Sequence, residues 1–92
     1  MSDFRILETA QFVADLERIS PARKDQIVQK LRAFVYPQLR EQPYFGTHIK
    51  KLRGFKLETW RYRIGSYRFF YNIDDREKIV VMAAADTRQQ SY

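Results

Sequence analysis

Apolar residues repeat every three to four positions in the first part of the chain and every second position after about residue 57. Ahead of that change, Phe4-Arg5-Ile6-Leu7 reads as a short strand. Thr9 stands as an N-cap before Phe12, Val13, Leu16 and Ile19, whose i, i+1, i+4, i+7 spacing gives a helix one apolar face. Ser20-Pro21 supplies a second cap with proline at the first helical position, where its missing N–H costs no hydrogen bond. Ile27, Val28, Leu31, Phe34 and Val35 continue this helix, and Pro37 is expected to end it. The two helices are predicted to form a tight hairpin.

Residues 37–56 hold Pro37, Pro43, Gly46 and Gly54 among charged residues, the composition of a connecting loop. Beyond it, Leu57 to Ile64 and Tyr67 to Ile73 read as strands joined by Gly65-Ser66, a two-residue type II′ hairpin signal. Such a turn pairs Ile64 with Tyr67, Arg63 with Arg68, Tyr62 with Phe69, Arg61 with Phe70 and Trp60 with Tyr71. One face of the hairpin is then aromatic or apolar and must lie on the helices. The opposite face shows Arg61, Arg63 and Arg68 together. A third strand, Lys78 to Ala85, follows the turn Asp74-Asp75-Arg76-Glu77. Its unbroken apolar run predicts an interior strand, covered on both sides or lying beneath a concave surface. A four-residue turn in register sets Ala83 near Arg68, where a small side chain either leaves room for a ligand or marks a tight helix–sheet contact. The pattern is that of one α+β domain over residues 1–92.

Composition narrows the chemistry. With 45% hydrophobic and 15% aromatic residues the 92-residue chain has the material for a core, which excludes disorder. The chain has no cysteine, so no disulfide, thiol nucleophile or Cys-based zinc site is available, and the single His48 has no carboxylates at metal-ligand spacing. Neither metal nor cofactor is expected. No apolar run reaches the ~18 residues of a membrane span, and Met1-Ser2-Asp3-Phe4 lacks the basic start of a signal peptide, so a cytoplasmic protein without a membrane partner is expected.

The net charge of +6 is unevenly spread. Between residues 47 and 73 stand Lys50, Lys51, Arg53, Lys56, Arg61, Arg63 and Arg68 against a single acid, Glu58. Most basic runs are solvated faces. Here the arginines alternate with Trp60, Tyr62, Tyr67, Phe69 and Tyr71, which puts their planar forks on a structured surface suited to phosphate. Arg63 directly across from Arg68 is a repulsive pair that costs stability, which points to an absent anion. The plainer alternative is a pair splayed into solvent, where charges are screened within ~8–10 Å.

Lys51-Leu52-Arg53-Gly54, then the stretch from Trp60 to Tyr71, then a turn, a hydrophobic strand and a closing Arg88 to Tyr92 resemble the RelE/ParE superfamily of toxins from bacterial and archaeal toxin–antitoxin modules. The resemblance covers nearly the whole chain in length and order. It implies a RelE-like (microbial RNase-like) α+β fold, with an N-terminal strand and two-helix hairpin packed on a mainly antiparallel sheet. For the RelE branch it implies metal-independent cleavage of messenger RNA in the ribosomal A site, blocked by an antitoxin, whereas the ParE branch poisons DNA gyrase. Carried over by position, Arg61 and Arg63 match the two basic residues of the second strand, Arg68 the arginine of the third, and Arg88 and Tyr92 the C-terminal Arg and Tyr. Lys50, Lys51, Arg53 and Lys56 are expected to contact RNA or the ribosome. The implied partners are a cognate antitoxin, the ribosome, messenger RNA and, for the toxin–antitoxin complex, operator DNA.

The chemistry is consistent with that assignment. Attack of a 2′-OH on the adjacent phosphate needs a base, stabilisation of the pentavalent phosphorus and help for the leaving 5′-oxygen. Arg61, Arg63 and Arg68 would neutralise the phosphorane, Tyr92 would act as base or stack on a base, and Arg88 would assist the leaving oxygen. Relatives often carry lysine at the second-strand positions; arginine, which keeps its proton, suits charge stabilisation rather than proton transfer there. The competing expectations are a ParE-type gyrase inhibitor acting by protein binding alone, and an inactive paralogue that keeps only antitoxin binding.

Overall fold

A computed structural model of the chain describes residues 3–87. Its elements are β1 (Arg5–Glu8), α1 (Ala10–Leu16), α2 (Pro21–Lys30), a π-helical turn (Leu31–Val35), α3 (Tyr36–Glu41), β2 (Ile49–Leu52), β3 (Thr59–Ile64), β4 (Tyr67–Asp74) and β5 (Ile79–Asp86). The strands form one sheet in the order β1-β5-β4-β3-β2, with β1 parallel to β5 and the remaining neighbours antiparallel. Alternate residues of each strand point to one side, and the helices cover that side. Phe12, Leu31, Val35 and Leu39 meet Phe69, Tyr71, Val80 and Met82 there, all at most 1% exposed. The Phe12 and Phe69 rings are tilted against each other at 6.1 Å, and the buried Tyr71 hydroxyl donates to the Pro43 carbonyl at 2.8 Å.

The β3–β4 hairpin has the register expected of its turn, from Ile64 opposite Tyr67 to Trp60 opposite Tyr71. Gly65 takes φ 56° while Ser66 does not enter the positive-φ region, as a II′ turn requires. The second helix, however, does not stop at Pro37. The N–H of Tyr36 bonds to the Leu31 carbonyl, five residues back, and this wide turn places Pro37 in the first turn of α3, where a missing N–H leaves no broken bond. The segment expected to be loop therefore begins with helix to Glu41 and also contains β2, which pairs with β3 as an edge strand. Its short Ile49-Lys50-Lys51-Leu52 run is too brief and too charged to announce itself.

The β4–β5 register also departs from expectation. Both strands run on, to Asp74 and from Ile79, with Asp74 accepting the Glu77 N–H at 3.0 Å and Lys78 turning at φ 57°. A bulge then shifts the pairing between Phe70 and Tyr71, so that Asp86, not Ala83, faces Arg68. Helix α1 holds the bulge in place. Thr9 Oγ1 accepts the N-capping bond from the Phe12 N–H at 3.0 Å and donates to the Ala83 carbonyl at 2.9 Å. The buried Asp15 accepts the Ala85 N–H at 2.9 Å. β5 is interior in the sheet order, between β1 and β4, but only Val80 and Met82 on its helix side are fully buried; its other side stays half-exposed.

Candidate functional site

The sheet side turned away from the helices collects the charge. Strand alternation puts Arg61 and Arg63 of β3, Arg68 of β4 and Lys50 of β2 on it. Two rows cross the strands. In the first, Lys50 pairs with Arg61, Arg61 with Phe70, and Phe70 with Ala84; in the second, Arg63 pairs with Arg68, and Arg68 with Asp86. Directly opposed residues lie roughly 4.5–5.5 Å apart at their Cα atoms, so Lys50 neighbours Arg61, Arg63 neighbours Arg68, and the four cations share one patch of the sheet.

Each cation is held differently. Arg61 is half-buried, and its Nε is shut from solvent with no hydrogen-bond partner among the described residues. Arg63 is exposed, and its Nε donates to the Gly65 carbonyl at 2.9 Å, which fixes the guanidinium beside the hairpin turn. Arg68 Nη1 stands 3.8 Å from Asp86 Oδ2, so the repulsion expected between Arg63 and Arg68 is partly offset from the β5 side. Lys50 is exposed on the edge strand. Phe70 and Ala84 complete the first row with a half-buried ring beside a methyl group.

Other expected site residues lie elsewhere. Lys51 is on the helix side of β2, with Nζ 5.7 Å from the Trp60 ring centroid and 3.1 Å from Glu58 Oε1. Arg53 and Lys56 are exposed in the connection between β2 and β3. Arg88 and Tyr92 lie outside the described residues. The exposed His48 sits where β2 begins, its ring 5.8 Å from that of Tyr62 and its carbonyl accepting the Arg63 N–H at 3.0 Å. Phe70 was visible in the hairpin pairing without being singled out as a site residue. Asp86 was missed because the bulge that delivers it depends on α1.

Perturbed titrations fall away from this face. Burial pushes the hydroxyls of Tyr36, Tyr62 and Tyr71 up from their ordinary value, with the Glu8 hydrogen bond adding to the effect at Tyr36, and all three side chains serve the helix side. Tyr44 is pushed up to about 12 by desolvation and by donating to Asp75, whose carboxyl is in turn held below the usual carboxylate range by that bond and by Lys78. That pair lies past the other end of β4 from Arg68. Among the described residues no three His, Asp or Glu side chains gather as metal ligands. Among the described residues no helix is long and apolar enough to cross a membrane. What the open face offers is electrostatic: N–H donors and positive charge gathered on one side of the sheet, the kind of surface that can stabilise a phosphate gaining negative charge.

A family model described as the ParE toxin of type II toxin–antitoxin systems matches residues 6–91. Among solved structures, a chain of the RelBE2 toxin–antitoxin complex from Mycobacterium tuberculosis is 28% identical, with 98% of this chain and 97% of that chain covered at a TM-score of 0.75. A YoeB/ParE toxin from Agrobacterium tumefaciens is 18% identical, covering 94% of this chain and 100% of that chain at a TM-score of 0.70. The intact RelBE toxin–antitoxin complex of E. coli contributes a chain that is 17% identical, with 95% and 99% covered at a TM-score of 0.67. These last two share the fold. No curated protein sequence matches.

Proposed function

The chain belongs to the RelE/ParE superfamily of toxins of type II toxin–antitoxin modules, and from that premise we propose that it is an endoribonuclease that cuts messenger RNA on the ribosome. The observation that carries this reading is the convergence of Lys50, Arg61, Arg63 and Arg68 on one open sheet face. A toxin that acted only by holding another protein would have little use for a cluster of guanidiniums built at the expense of a cross-strand like-charge pair.

In the proposed reaction the ribonucleotide's own 2′-oxygen forms a bond to the adjacent phosphorus and the bond from phosphorus to the 5′-oxygen breaks. The 2′-OH proton passes to a base and a proton is delivered to the leaving oxygen. Arg61, Arg63 and Arg68 hold and neutralise the phosphorane, with Lys50 extending the positive field along the strand. Arg88 and Tyr92 are proposed for the leaving oxygen and for base or stacking duty, on the resemblance alone. No metal or cofactor enters the scheme. The ribosome supplies the alignment of 2′-OH and phosphate, which accounts for a large share of the rate in any in-line attack. The setting is the cytoplasm. A cognate antitoxin would silence the enzyme by laying an acidic or amphipathic segment over the basic surface, and the paired proteins would bind their operator DNA.

A second reading is favoured by one observation, the match to a family described by its ParE toxins: inhibition of DNA gyrase by protein binding, without catalysis. Inducing the wild-type chain and an Arg61→Ala/Arg63→Ala/Arg68→Ala variant in a bacterial host, then mapping messenger 5′ ends by primer extension, separates the two. New ends within codons, dependent on translation and absent from the variant, are expected. Growth arrest with intact messages and DNA damage would move the assignment to gyrase, and soluble protein without arrest would mark an inactive antitoxin-binding paralogue.

A further inference from the structure

Arg23, Gln26, Lys30 and Phe34 follow one another at i, i+3, i+7 and i+11, which puts them in a column on one side of α2 and the π-helical turn. The intervening Ile27, Leu31 and Val35 point to the core. All four column residues are exposed, and at ~1.5 Å per residue the column runs about 16 Å. It lies along the β3–β4 turn. Two clefts of about 160 and 290 Å³ open between helix and turn, sharing Lys30, Ile64 and Gly65 in their walls. Arg23 and Tyr67 line the first; Phe34, His48 and Arg63 line the second. Among the described residues no acid lines either cleft.

Two details set this groove apart from an ordinary solvated helix face. The Arg23 guanidinium sits 5.9 Å from the Tyr67 ring centroid, so one cation is already oriented over an aromatic face. Phe34 is 68% exposed between Lys30 and the end of β3, a bare ring among cations. Positive charge tracking a groove, with an open ring alongside, is how proteins hold single-stranded nucleic acid without reading its sequence. Arg63 belongs both to the second cleft and to the open sheet face, so a strand lying in the groove passes from the helix side round the β3–β4 turn end of the sheet to the four-cation patch.

We propose that this groove, from Arg23 through Lys30 and Phe34 to Arg63, is a single-stranded RNA track that feeds the open face. The choice of RNA over other polyanions rests on the ribonuclease reading; the groove itself does not. Its cations contact phosphates and Phe34 stacks on a base. The sequence carries the signal only as a helical column whose partner, the β3–β4 turn, is remote along the chain.

The test is fluorescence-anisotropy titration of a labelled 2′-O-methyl oligouridylate, which cannot be cleaved, against the full chain and an Arg23→Gln/Lys30→Gln/Phe34→Ala variant. The substituted positions are exposed, so melting temperatures within a few degrees of each other are expected. The variant should bind at least ~10-fold more weakly, and its log K against log salt slope should fall by about 1.4, roughly 0.7 for each lost phosphate contact on a single strand. Should the triple change unfold the chain, Arg23→Gln and Lys30→Gln alone should each remove about 0.7 from the slope. Unchanged affinity and slope overturn the track. So does a variant that keeps its RNA affinity but loses the antitoxin, which would make an acidic protein segment the occupant. Loss of oligonucleotide binding in the variant, beside intact messages in cells induced for the wild-type chain, would uphold the groove as a single-strand polyanion site and reject the ribonuclease reading on which the choice of RNA rests.

Discussion

The two sides of the same sheet follow opposite rules. On the helix side the aromatic residues are packed and mostly partnered: Phe69 and Tyr71 are fully buried, and the hydroxyls of Tyr62 and Tyr71 donate to Gln38 and Pro43, though the buried Trp60 Nε1 has no hydrogen-bond partner among the described residues. On the open side Arg63 and Arg68 are exposed across from each other, and the buried Arg61 Nε goes without a hydrogen bond among the described residues. The residues are neighbours in sequence, Tyr62 between Arg61 and Arg63, Phe69 next to Arg68. Because strand side chains alternate, one hairpin can hold a packed core on one rank and a charged surface on the other. Stability and chemistry are thereby assigned to interleaved but separate positions, and substitutions on one side should leave the other largely alone.

The severest break is Phe69→Ala, which empties the centre of the helix-side core. It should cost ~3–5 kcal/mol, lowering the melting temperature by more than about 12 °C at the ~4–8 °C per kcal/mol of a domain this small. The Arg61/Arg63/Arg68 triple-alanine protein, followed in the same thermal scan, should stay within a few degrees of wild type. If the two variants melt alike, the division between the faces is wrong.

Next in size is Asp15→Ala. It removes the carboxylate that takes the Ala85 N–H and the Gln11 amide beneath the β5 bulge. A buried donor left without a partner costs ~1–3 kcal/mol. Chemical denaturation should show that loss, and because the bulge sets Asp86 against Arg68, the proposed messenger cleavage should fall as well. A stability loss with unchanged cleavage would show that the open face tolerates a shifted register.

The smallest effect is one of pH. In the folded chain the hydroxyls of Tyr36, Tyr62 and Tyr71 are pushed above their ordinary value of 10.0, so above pH 10 the unfolded chain releases protons that the folded chain keeps. The unfolded state then binds fewer protons, and stability must fall as pH rises. Denaturation midpoints at pH 9, 10 and 11 should decline across the last interval, and Tyr71→Phe should flatten that decline. A midpoint that rises toward pH 11 would contradict the burial of these tyrosines on the helix side.

Much of this was legible in the chain. The hairpin was, because a two-residue Gly-Ser turn leaves one register and alternation then assigns every side chain to a face. So were the two helices and the clustering of Arg61, Arg63 and Arg68. The run past Pro37 was hidden, because a proline normally ends a helix and nothing local announces the wide turn at Leu31–Val35 that accommodates it. β2 was hidden because Ile49–Leu52 becomes a strand only by pairing with β3. Lys50 and Lys51 looked equivalent in the chain, yet that pairing sends Lys50 to the patch beside Arg61 and Lys51 to the other side over Trp60.

By itself, then, the order of apolar and polar residues determined what local periodicity can encode: two amphipathic helices, an aromatic hairpin, and a rank of arginines that could only lie opposite the core. Which charge meets which across the sheet was left to tertiary structure. The position of Asp86 opposite Arg68 depends on a bulge held by Thr9 and Asp15, some seventy residues earlier in the chain. The groove of Arg23, Lys30 and Phe34 exists only because α2 lies along the β3–β4 turn. Periodicity acts over neighbouring residues and is written in the chain; register between distant segments is chosen by where their hydrogen bonds and buried surfaces close together, and that is settled only when the whole domain packs.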